Sequence, residues 1–171
     1  MLDEDKFLSD YGLRSLSKEH ERQPFKFDVD DMDFSIGYQP GESQSFMFGG
    51  NSNWRGPIWF PLNYLMIEAL LKYNNYYGDS CSIEMPSKSG VLFNLEEVAV
   101  KLSQRLINVF LQDEKGGRPY TGDSNLSMED PQGQENILFY EYFHGDTGAG
   151  LGASHQTGWT ALVAKLIQDC A

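Results

Sequence analysis

Cysteine is scarce in this sequence: Cys81 and Cys170 are its only two. Two thiols build neither a disulfide framework nor, by themselves, a zinc site, so a reducing, cytoplasmic setting is the expectation. Basic residues are also few. Thirteen Lys and Arg stand against 25 Asp and Glu, a formal net charge of -12. That balance repels a phosphate backbone and an anionic membrane surface, which excludes nucleic acid and membranes as natural partners. No run approaches the roughly 20 apolar residues of a membrane helix. The opening Met1–Asp5 is acidic, with no apolar stretch behind it, and does not read as a signal peptide. His20, His144 and His155 lack the spacing of zinc ligands. No strand series and no internal repeat stands out.

What is present is a globular composition, 40% hydrophobic and 22% charged, in a length of 171 residues that suits one domain. The chain is rich in glycine, with 17, and in aromatics, at 13%. That pairing suggests long loops carrying rings. Apolar spacing predicts three helices. The first covers about 61–77, with Leu62, Leu65, Met66, Ala69, Leu70, Tyr73 and Tyr77 on one face, Pro61 in the first turn and Gly78 as cap. The second covers about 95–112, with Asn94 and Glu97 as a capping box and Gly116-Gly117 beyond its end. The third covers about 158–170, with Trp159, Leu162, Val163, Leu166 and Ile167 on one face. Residues 1–10 suit a short helical turn, 28–40 read as irregular, and 137–143 suits either a strand or a short helix. The expected class is all-α with long connecting loops, and loops of that length usually carry function.

All three tryptophans lie in two such loops. Trp54 and Trp59 sit in 49–59, and Trp159 ends 140–159. Each loop runs directly into a predicted helix. Rings offer flat apolar faces, while Asn, Gln, His and Arg offer directed hydrogen bonds. Together they suit a ligand with C–H faces and many hydroxyls, which describes a sugar. A carboxylate among rings is partly desolvated, which favours its neutral form and suits acid–base work. Glu141, between Tyr140 and Tyr142, fits that description. The competing reading is a core carboxylate held in a salt bridge.

Other signals are weaker. The glycines of 148–153 match a dinucleotide-binding pattern, but a second strand after the helix is lacking. Asp28, Asp30, Asp31 and Asp33 lack the Gly and Glu of an EF-hand and read better as a solvated acidic loop. Ser154 and His155 are neighbours in sequence, which does not place a hydroxyl against a ring. No cofactor or metal is called for.

Asn53-Trp54-Arg55-Gly56-Pro57-Ile58-Trp59, with Asn63 beyond it, resembles a hallmark of glycoside hydrolase family 63. So does Tyr140-Glu141-Tyr142-Phe143 with Gly145-Asp146-Thr147-Gly148 and His155-Gln156-Thr157-Gly158-Trp159-Thr160. Tyr11–Ser17 and Pro40-Gly41-Glu42 resemble two further segments in the same order. The resemblance implies an (α/α)6 toroid, cleavage of α-glucosides or related α-linked oligosaccharides, and inversion at the anomeric carbon. It implies that Glu141 is the general base. It also implies that Trp54, Arg55, Trp59 and Trp159, with His155 and Gln156 as polar lining, shape the sugar site. An inverting glycosidase needs a second carboxyl group as general acid. In this family that group is an Asp from much earlier in the chain, and no segment of 1–48 resembles its motif. Three helices fall far short of twelve. The expectation is therefore one segment, 1–171, forming the C-terminal portion of such a domain and truncated at its N-terminus. Its partners would be a carbohydrate and either the missing barrel portion or a second copy. The alternative is a catalytically incomplete carbohydrate-binding or assembly fragment.

Overall fold

The computed structural model describes residues 1–45, 53–114, 116–122 and 136–170. Residues 49–52 of the first aromatic loop lie outside them. The all-α expectation is overturned. Among the described residues four two-stranded antiparallel sheets accompany the helices. They pair β1 (Leu8–Ser9) with β2 (Gly12–Leu13), and β3 (Phe25–Val29) with β4 (Met32–Ile36). They also pair β5 (Ser82–Glu84) with β6 (Leu92–Asn94), and β7 (Tyr142–Phe143) with β8 (Gly150–Leu151). Most of these strands are two or three residues long, too short for a period-2 pattern to register. The β3–β4 hairpin occupies part of the stretch that reads as irregular. Phe27 faces Phe34 and Val29 faces Met32 across it, and Asp30 and Asp31 turn the chain at φ 50° and 63°. Two successive positive-φ residues make the tight hairpin turn, a conformation that Asp tolerates.

The helices keep close to their expected bounds. α1 covers Phe60–Tyr77, with Pro61 in its first turn and Gly78, at φ 55°, ending it. α2 covers Leu95–Asn108, and its capping box forms: the Glu97 amide donates to Asn94 Oδ1 and the Asn94 amide to Glu97 Oε2, both at 2.9 Å. It ends sooner than predicted, although Val109 and Phe110 remain buried beyond it. The third helix is broken at Ala161 into α3 (Thr157–Thr160) and α4 (Leu162–Cys170).

The face that α1 buries differs from expectation. Phe60, Asn63, Ile67 and Leu70 face inward, whereas Leu62, Leu65, Met66, Tyr73 and Tyr77 are exposed. The helix has apolar residues on both sides, so its periodicity cannot choose the buried one. Asn63 explains part of the choice. Its Oδ1 accepts from the Leu13 amide at 2.7 Å, and its Nδ2 donates to the carbonyls of Leu13 and Trp59. This buried amide staples α1 to β2, which a leucine could not do. Behind it, α2 contributes Val98, Leu102 and Leu106 to the core, and α4 adds Val163 and Leu166. Phe60, Phe110 and Phe143 meet edge to face at 5.6 to 5.9 Å and form the floor under the aromatic loops.

Candidate functional site

Ile58 is the backbone junction of the site. It bridges Arg14 on one side and Phe143 on the other. The Ile58 amide donates to the Phe143 carbonyl at 2.8 Å, and the Phe143 amide returns the bond at 3.0 Å. The three segments that carry the sequence motifs thus lie side by side. The segment bearing Glu141 is held on its other edge too. The Glu141 amide donates to the Ala153 carbonyl at 2.8 Å, and the Gln156 amide to the Phe139 carbonyl at 2.7 Å. Residues 137–143 therefore take the extended alternative.

The rings gather on this frame. Trp54 stacks on Trp59 with centroids 3.9 Å apart and planes 2° from parallel. Trp59 stacks on Tyr142 at 4.8 Å, and Trp159 leans on Trp59 at 5.5 Å. Trp59 is 1% exposed, covered on both faces, and its Nε1 donates to the Asn53 carbonyl at 2.9 Å. The rings that remain open to a ligand are Trp54 and Trp159, each 38% exposed.

Glu141 lies directly before Tyr142. Its Oε2 accepts from the Ala153 amide at 3.4 Å. Gly152 makes room for it: at φ 69°, a Cβ there would sit 2.8 Å from Glu141 Oε2. A side chain at 152 would meet both a strained backbone and the carboxylate. The Tyr142 hydroxyl is pushed above its ordinary range by burial first, then by the negative charges of Glu42 and Glu141.

Arg55 is buried rather than presented to solvent. Its Nε donates to Asn53 Oδ1 at 3.3 Å and its Nη2 to Ser43 Oγ at 2.9 Å. Asn53 Nδ2 grips the carbonyls of Gln39 and Gly41 at 2.7 and 2.8 Å. The Asn53–Arg55 turn therefore clamps the 39–43 loop. Gly56 permits that closeness: at φ 144°, a Cβ there would sit 2.6 Å from the Tyr38 ring. His155 is exposed, and Gln156 is half-buried at the start of α3, beside Trp159.

An ion cluster not evident in the sequence supports the turn after β7. Asp146 Oδ1 accepts from Arg14 Nε and Nη2 at 3.2 and 2.9 Å, and from Lys18 Nζ at 3.1 Å. Arg14 Nη1 also donates to the carbonyls of Glu4, Lys6 and Leu8. Burial works to raise the Asp146 pKa, but Lys18 and Arg14 outweigh it and hold the carboxyl below its usual range. The Tyr38 hydroxyl is buried beside this cluster. Burial, reinforced by the Asp146 charge, drives its pKa upward. The only cue in the sequence is an arginine set between Leu13 and Leu16.

His144 completes the cluster, with Nδ1 accepting from the Asp146 amide at 3.1 Å. Desolvation lowers the His144 pKa, against the field of Asp146 and with that of Lys18. A depressed folded-state value means the unfolded chain binds the proton more readily, so acid removes stability. The stability contributed by a neutral His144 is full above pH ~6.5 and is lost as pH falls through its lower folded value. Asp146 adds a second loss as pH falls through its own lowered value, below the reference of 3.8. The urea midpoint should therefore fall between pH 7.5 and 5.5, and His144→Gln should flatten that fall. Equal slopes for the two proteins would refute the assignment.

Among the described residues no group of three His, Cys, Asp or Glu side chains could hold a metal ion, and no helix is long and apolar enough to cross a membrane. Residues 1–160 match the family model described as the mannosylglycerate hydrolase MGH1-like glycoside hydrolase domain. An uncharacterized protein of Saccharomyces cerevisiae is 54% identical over 171 residues, covering 99% of this chain and 16% of the relative. The mannosyl-oligosaccharide glucosidase of the same yeast is 28% identical over 169 residues, covering 98% of this chain and 14% of the relative. A probable mannosyl-oligosaccharide glucosidase of Schizosaccharomyces pombe is 26% identical over 167 residues, with the same two coverages, 98% and 14%. The chain thus spans about a sixth or a seventh of the length of these relatives.

Proposed function

This chain belongs to the mannosylglycerate hydrolase MGH1-like glycoside hydrolase family, and from that premise we propose that it supplies the aromatic wall and the general base of a site that hydrolyses α-glucosides or related α-linked oligosaccharides. One observation carries the proposal: a Cβ on Gly152 would sit 2.8 Å from Glu141 Oε2 and 2.9 Å from the Tyr142 ring, so the carboxylate flanks the Trp54–Trp59–Tyr142 stack, on which Trp159 also leans. A pyranose ring placed on an exposed indole face would bring its anomeric carbon within reach of a carboxylate-bound water.

In this proposal Glu141 takes a proton from water. The water oxygen attacks the anomeric carbon on the face opposite the leaving oxygen. The bond to the leaving oxygen breaks, and a second carboxyl group protonates that oxygen. The product is inverted, and the two carboxyl groups stand about 6.5–9.5 Å apart. An Asp from a longer or separate polypeptide would provide the acid. Arg55 acts through the loop that it clamps, and Trp59 acts as the support on which Trp54 and Trp159 are set.

The chain's small share of its relatives favours a second reading, a carbohydrate-binding fragment without turnover. Incubation of this chain, within or together with the polypeptide that carries the acid, with an α-glucoside separates the two. The first reading expects release of β-configured sugar. The second expects binding by calorimetry with no release. Neither binding nor release would sink both.

A further inference from the structure

The loop from Gln39 to Ser43 is held from several sides. The Asn53 amide takes the carbonyls of Gln39 and Gly41, Arg55 Nη2 reaches Ser43 Oγ, and the Gln39 amide donates to the Arg55 carbonyl at 2.6 Å. Gly41 packs against the His144 ring, with room for a Cβ only 3.3 Å from its Cδ2. These bonds satisfy the donors of Asn53 and Arg55, which are buried. They also hold the chain on both sides of Glu42, which lies between Gly41 and Ser43 and whose own side chain is exposed. Its charge nonetheless reaches the Tyr142 hydroxyl, as does that of Glu141. Two carboxylates from different loops therefore bear on the phenol at the inner end of the Trp54–Trp59–Tyr142 stack.

Resting on the glycoside hydrolase reading of this site, we propose that Glu42 is a sugar-binding residue: its carboxylate, presented by the loop clamped to Asn53 and Arg55, accepts the hydroxyl hydrogens of a pyranose stacked on Trp54. The chemistry of the two partners is complementary. An indole face takes the C–H surface of the ring but cannot tell one hydroxyl pattern from another. A fixed carboxylate has two oxygens and accepts two hydroxyl hydrogens, and its charge makes those bonds stronger than neutral ones. A site that hydrogen-bonds hydroxyls strongly rejects an analogue lacking them, because its polar groups are then left unpaired. Glu42 therefore sets which sugar is held, while Glu141 acts on the water.

The experiment is calorimetry of this chain with methyl α-D-glucopyranoside, comparing Glu42→Ala, Glu42→Gln and Trp54→Ala with the parent. Thermal melting of each variant reports its folding. Glu42→Ala should weaken binding at least about tenfold, the effect of 1.4 kcal/mol. Glu42→Gln keeps an acceptor oxygen without the charge and should fall between Ala and the parent, with melting unchanged. Parent-like binding by Glu42→Ala, alongside lost binding by Trp54→Ala, overturns the role of Glu42 and leaves the aromatic site standing. Absence of binding in the parent overturns both together.

Discussion

In a polypeptide that also carries the general acid, Glu141→Gln is expected to lower the release of sugar from α-glucosides by about 10²–10⁴-fold, the usual contribution of a general base. The amide is close in shape to the carboxylate but cannot take the proton from water. The structure gives the substitution a clean reading. Glu141 Oε2 accepts from the Ala153 amide at a long 3.4 Å, and the Gln side chain keeps an oxygen that can accept the same bond. The Trp54–Trp59–Tyr142 stack does not depend on the charge, so sugar affinity should be retained. A kcat loss with steady KM is the signature of a group that acts on the reaction rather than on ground-state binding. A second variant sharpens the test. Glu141→Ala opens space in which azide can replace the activated water, and an inverting mechanism then yields the β-configured glycosyl azide. Turnover by Glu141→Gln equal to the parent would remove Glu141 from the role of base.

Arg14→Ala is expected to cost about 3–5 kcal/mol of stability, the range for breaking a buried ion pair from one side. Arg14 is 7% exposed at its side chain and Asp146 is 26% exposed, so neither is a surface pair of small worth. Removal strands Asp146 with Lys18 as its remaining cation and leaves the carbonyls of Glu4, Lys6 and Leu8 without the guanidinium. For a domain of this size each kcal/mol moves the melting temperature by about 2–4 °C, so a drop of roughly 6–20 °C should be visible by circular dichroism. Arg14→Lys should restore only part of it, because an ammonium cannot span the Asp146 carboxylate and the carbonyls as the planar fork does. A loss below about 1 kcal/mol would place the pair among ordinary surface contacts.

The sequence carried the helices well because their signals are local. The Asn94–Glu97 capping box and the Pro61 and Gly78 boundaries depend on neighbours a few residues away. The short sheets depend on partners that local pattern does not reveal. Leu8–Ser9 or Gly150–Leu151 offers too few positions for alternation, and its pairing comes from a turn and from tertiary context. The buried face of α1 went the other way for a similar reason. Leu62, Leu65 and Met66 are as apolar as Ile67 and Leu70, and the polar staple of Asn63 to β2 helps decide which side turns inward. At the candidate site, the types of residue were legible and their division of labour was not. The tryptophans and Glu141 do converge through Tyr142. But Trp59 is sealed inside the stack and Arg55 is spent on Asn53 and Ser43. The Arg14–Asp146 pair joins residues 132 positions apart, beyond the reach of any spacing rule.

The Ile58 junction also constrains the order in which the molecule can be made. Its bridge to position 143 accompanies the stacking of Trp59 on Tyr142, so the full rim of rings cannot form until the C-terminal segment docks. Such long closures are entropically costly and slow, and they are repaid only when the last segment docks. α1 and α2, each closed by local bonds, can form early. The aromatic rim is then the final thing to assemble. Tryptophan fluorescence should therefore lag behind helical circular dichroism when the chain is refolded.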